Sequence, residues 1–134
     1  MANEDYRQRV RDALEARETR LEQQGIENAR QQAEQAQWAL GAGAAIESKV
    51  RGAAEESNGM LRRIQDPGPN RTGIVETLLW ANGGPHAPRL KFWLDVTGGR
   101  VCHLNSAGTW IDFPSGSNVG QLVEEMIFDF IRQS

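Results

Sequence analysis

The sequence predicts an α+β protein, with a long N-terminal helix or helical hairpin, an antiparallel β-meander of three to four strands, and a closing amphipathic helix. Three observations carry this expectation. Residues 6–64 lack proline and are dominated by Ala, Gln, Glu and Arg, all strong or adequate helix formers. Residues 90–113 are runs of β-favouring residues separated by glycine-containing turns. Residues 119–131 repeat apolar side chains at helical spacing.

In the first region, Tyr6, Val10, Leu14 and Leu21 are followed by Ala29, Ala33, Ala36 and Leu40, then by Ile46, Val50, Ala53 or Ala54, Leu61 and Ile64. Steps of three, four and seven residues place them on one stripe. The stripe is thin and alanine-rich, so each turn buries little area. A helix of this kind depends on packing of its apolar face. Gly41 and Gly43 predict a turn between two helices, roughly 3–40 and 44–64, with Gly25 a point where the first breaks or kinks. A weak stretch within one long helix, or close packing over small residues, uses the same glycines.

Asp66-Pro67-Gly68-Pro69-Asn70-Arg71-Thr72-Gly73 reads as a linker, which divides the chain into a helical region 1–65, a linker 66–73 and a β-meander domain 74–134. Ile74–Trp80 reads as a strand. Leu90–Val96, Val101–Leu104 and Trp110–Phe113 follow, with turns at Gly98-Gly99 and Ala107-Gly108. Two-residue turns at both places set Val96 opposite Val101, Leu94 opposite His103, and His103 opposite Asp112. One face then carries Trp93, Asp95, Cys102, Leu104, Ile111 and Phe113. The other carries Phe92, Leu94, Val96, Val101, His103, Asn105, Trp110 and Asp112, and a one-residue slip reverses a strand. Ser117 or Asn118 caps a helix from Val119, whose stripe is Val119, Leu122, Val123, Met126, Ile127, Phe130 and Ile131. Phe128 lies off that stripe, left exposed or in contact with the helical region.

The chemistry-bearing residues are few. Cys102, the one cysteine, rules out an internal disulfide and a thiolate metal site within the chain. Cys102 and His103 are neighbours on a strand, so they point to opposite faces and cannot act together. His103 beside Asp112 is either a cross-strand polar pair or an oriented general base. Two histidines without a third nearby ligand give no metal signature, and no phosphate-binding or dinucleotide motif occurs. No catalytic residue, metal or cofactor is expected.

A net charge of −3 argues against life on phosphate backbones. Neither half is basic: residues 1–64 hold ten basic and eleven acidic side chains, and residues 65–134 hold five and seven. Thirteen arginines against two lysines fit a GC-rich bacterial or phage genome. No apolar run spans a bilayer and the opening residues lack a signal-peptide core, so a cytoplasmic location is expected.

The function these observations favour is protein–protein recognition, as an adaptor, assembly factor or steric inhibitor. The expected partner-binding residues are Phe92, Trp93, His103, Asn105, Trp110 and Asp112, since aromatics beside polar groups suit interfaces. Self-association through the N-terminal helices is a further expectation. The alternatives are an oligomerising nucleic-acid-associated protein, and an enzyme using His103 and Asp112.

Overall fold

A computed structural model describes residues 2–133 of the chain as an α+β fold. The elements are α1 (Ala2–Glu56), β1 (Leu61–Pro67), a single 3₁₀ turn (Pro69–Arg71), β2 (Ile74–Trp80), β3 (Arg89–Asp95), β4 (Arg100–Leu104), β5 (Trp110–Asp112) and α2 (Val119–Arg132). The chain divides into two units, 1–34 and 35–134. The first is helical throughout its described residues. The boundary thus falls within α1 and not at the Pro/Gly run.

α1 is one long helix, the first of the two expected arrangements, and the turn expected at Gly41 and Gly43 does not form: both glycines lie inside it. A Cβ at Gly43 would sit 3.3 Å from Val96 Cγ2, so the missing side chain lets this turn approach the β3–β4 loop. The two glycines thus form a weak stretch within one long helix, the second of the uses open to them. The helix ends at Glu56, eight residues before Ile64, because Asn58 (φ 53°) and Gly59 (φ 87°) take left-handed conformations. The Ser57 hydroxyl fixes the exit by donating to Ala54 O at 2.7 Å, and it accepts the Leu61 N–H at 2.9 Å.

Leu61 and Ile64, expected on a helical stripe, therefore open a strand. The expected linker is a tight loop between β1 and β2. The Trp93 indole N–H donates to Thr72 O at 2.8 Å, and a Cβ at Gly68 would meet that same oxygen at 1.8 Å. Gly73 sits at φ 68°, with its absent Cβ 2.3 Å from Leu94 O. Backbone packs too closely here for any other residue.

The five strands form an antiparallel sheet in sequence order, one or two more strands than expected, the addition being β1. β3 and β4 pair with Asp95 opposite Arg100, Leu94 opposite Val101 and Phe92 opposite His103. Their loop has four residues instead of two, closed by Gly99 N–H to Val96 O. An even change in loop length shifts the register without exchanging faces. The next loop differs in kind. Asn105 N–H donates to Thr109 O and Gly108 N–H to Asn105 O, with Gly108 at φ 81°, a three-residue turn ending in a left-handed glycine. This odd count pairs Cys102 with Asp112, His103 with Ile111 and Leu104 with Trp110, and so reverses β5.

One sheet face carries Leu61, Leu78, Phe92, Val101 and Phe113 into the core. Ala39, Ala42, Ile46 and Val50 of α1 pack there with Val119, Val123 and Ile127 of α2. Each large side chain buried this way contributes about 1.5–3 kcal/mol. Asn118 caps α2 as expected, accepting the Gln121 N–H through its side chain at 3.2 Å. The opposite face holds a smaller cluster of Val75, Trp93 and Cys102, with Trp110 against it.

Candidate interaction surfaces

The structure separates the residues that the sequence groups together. Phe92 is wholly buried in the core, its ring centroid 6.3 Å from that of Phe113. His103 is half-buried on the same face, 4.9 Å from the Phe113 ring. Burial holds its imidazole below the usual histidine range, because the charged form loses water there. Asn105 is structural. Its Oδ1 accepts the Ala107 and Thr109 N–H groups at 3.0 and 2.9 Å and closes the β4–β5 turn.

Trp93, Trp110 and Asp112 lie on the other face. The two indoles meet at 5.9 Å, and the Arg100 guanidinium covers the Trp93 ring at 4.8 Å. Arg100 Nε–H donates to Asp112 Oδ1 at 3.2 Å, and the Cys102 thiol donates to the same oxygen at 3.0 Å. Burial first, and then the neighbouring carboxylate, push the thiol up to about 12. The hydrogen bonds from Cys102 and Arg100 hold Asp112 below the ordinary carboxylate value. Cys102 is thus an unreactive thiol at neutral pH. The expected His103–Asp112 pair does not form, because the odd turn places the two side chains on opposite faces.

Three other surfaces are open. The first is the stripe on residues 1–34, where Tyr6 (69%), Val10, Leu14 (55%) and Leu21 are exposed. Arg17 falls in line between Leu14 and Leu21, at helical steps of three and four. The sequence shows this stripe by its spacing, and the structure adds its exposure.

The second surface is a groove of about 540 Å³ between residues 48–57 of α1 and α2, lined by Met60, Leu61, Trp80, Ile127, Phe128 and Ile131. Met60 (62%) and Phe128 (51%) stand out at its rim, and Lys49 pairs with Glu124 across it. Phe128 off the α2 stripe was the one signal of it in the sequence. The third is the outer edge of β1, a strand whose residues read as helix by their spacing.

Comparison of the chain with protein-family models, curated proteins and solved structures returned no match. Among the described residues, no helix is long and apolar enough to cross a membrane.

Proposed function

We propose that the chain is a non-catalytic protein-recognition module that pairs the Tyr6–Leu21 stripe of α1 with an amphipathic helix of a partner protein. The observation that carries this reading is the exposure of Tyr6, Val10, Leu14 and Leu21 along one stripe of the helix. Isolated helices are marginal in water, and most of their stability comes from burying one face. A partner helix supplies that burial, in the way amphipathic helices dock through i, i+3, i+4 and i+7 anchors.

Arg17 indicates what the partner carries. In an in-register parallel pair of identical helices, Arg17 would face its own copy in the seam, where like charges repel. A partner with apolar anchors opposite Val10, Leu14 and Leu21 and a carboxylate opposite Arg17 meets the stripe without that conflict. Flanking charges of both signs, such as Arg11, Glu18 and Arg20, set register and not affinity for a polyanion. Such a module works as an adaptor, an assembly factor or a steric inhibitor.

The test uses paired variants of the full chain. Leu14→Asp with Leu21→Asp abolishes co-purification of a defined protein, while Gln23→Asp on the opposite helix face retains it and thermal unfolding of residues 35–134 is unchanged. Retention of the partner by the stripe variant, or salt-sensitive retention of nucleic acid in its place, contradicts the reading.

A further inference from the structure

The outer edge of β1 is self-complementary, and the geometry points to a homodimer in which β1 pairs antiparallel with β1 of a second copy about a two-fold axis at Ile64. This goes beyond the α1 reading and uses none of its residues.

β1 and β2 pair with Arg62 opposite Leu79, Ile64 opposite Thr77 and Asp66 opposite Val75. At the two ends of this ladder, Ala81 N–H donates to Met60 O at 2.9 Å and Gly68 N–H donates to Gly73 O at 3.1 Å. Hydrogen-bonded pairs alternate along an antiparallel ladder, so Arg62, Ile64 and Asp66 turn their backbone groups to β2. Arg63 and Gln65 turn theirs outward, where they meet no partner among the described residues.

The groups flanking these two residues are already accounted for. Leu61 N–H is held by Ser57 Oγ at 2.9 Å, and Pro67 has no N–H. The usable edge is therefore Arg63 and Gln65. A two-fold axis at Ile64 places Arg63 of each copy opposite Gln65 of the other, and each such pair exchanges both backbone bonds.

Side chains favour the same register. Arg62, Ile64 and Asp66 share the sheet face opposite the helices. Around the axis, half-buried Ile64 packs on its own copy, and Arg62 stands opposite Asp66 of the other chain on both sides. Arg62 and Asp66 are exposed and make no ion pair among the described residues. Opposite charges across paired strands stabilise, while like charges in that position repel. An edge that otherwise invites indiscriminate strand addition is thereby matched to one partner, a second copy of this chain.

Light scattering on the full chain across a concentration series, with amide exchange at Arg63 and Gln65, tests this. The expected result is a mass approaching two chains, with exchange at both amides slowing as the dimer fills. Arg62→Asp alone and Asp66→Arg alone each weaken dimerisation by about tenfold or more. The swapped double variant, Arg62→Asp with Asp66→Arg, restores it. A mass of one chain throughout overturns the inference, as does association that ignores the single reversals or leaves the two amides unprotected.

Discussion

Arg63 and Glu76 form a bidentate ion pair inside the fold: the guanidinium donates from Nε and one terminal nitrogen to the two carboxylate oxygens, each at 2.8 Å, and Glu76 is 1% exposed. Gln65 donates to the same carboxylate at 2.6 Å, and Glu47 of α1 lies 3.5 Å from the guanidinium. The hydrogen bonds that Arg63 donates to Glu76 chiefly hold its guanidinium above the usual value. The pair fixes β1 against β2 and ties both to α1.

Removing one partner leaves a buried charge uncompensated, which costs far more than the intact pair contributes. Arg63→Met is expected to destabilise residues 35–134 by about 3 kcal/mol in chemical denaturation. The double variant Arg63→Met with Glu76→Leu recovers most of that loss. A single variant as stable as the parent would show that water reaches the carboxylate.

Two glycines give opposite outcomes. Gly73→Ala strains a backbone at φ 68° and sets a methyl 2.3 Å from Leu94 O, so a loss of about 2 kcal/mol or more is expected. Gly25 has nothing within 4 Å of its absent Cβ, and Gly25→Ala raises helicity by circular dichroism, worth about 1 kcal/mol to the helix. The unfolding midpoint of residues 35–134 stays where it was.

Cys102 is wholly buried, and its thiol sits at about 12. At pH 8 the buried thiol stays protonated, so labelling by a thiol reagent proceeds only through opening of the sheet. The labelling rate is expected to rise with denaturant in step with unfolding. Fast labelling of the native chain would contradict the burial.

His103 sets the sign of one pH effect. Its folded-state value is depressed by burial, so the unfolded chain takes up its proton first as pH falls. Stability is then full above about pH 6.5, the unperturbed histidine value, and declines as pH drops through it. Unfolding free energies between pH 7 and 5 are expected to slope downward with acid, and His103→Gln flattens that slope.

The legible parts of the fold were those where one local signal dominates. The α2 stripe and its Asn118 cap repeat over several turns, and β3 and β4 alternate around Gly98-Gly99. Parity explains the partial success of the face assignment. Lengthening the first turn from two residues to four kept Phe92, Val101 and His103 on one face, while the odd turn closed by Asn105 reversed Trp110 and Asp112. β1 was hidden for another reason. Leu61 and Ile64 stand three apart, as on a helix, and the paired Arg63 takes a core-facing position where a strand pattern calls for an apolar residue. The Asn58-Gly59 stop signal was present. Of the expected partner-binding residues, burial removes Phe92 from any surface and turn chemistry occupies Asn105, neither of which residue type alone reveals.

The most direct test of the recognition reading is site-specific photo-crosslinking in the native cell, with a photoreactive residue at Leu14 or Leu21 on the stripe and at Ala16 or Gln23 on the far side of the helix. The expected result is one protein captured from both stripe positions, lost on Arg17→Glu, and absent from the two far-side positions. Equal capture from both faces, or none from the stripe, would contradict it.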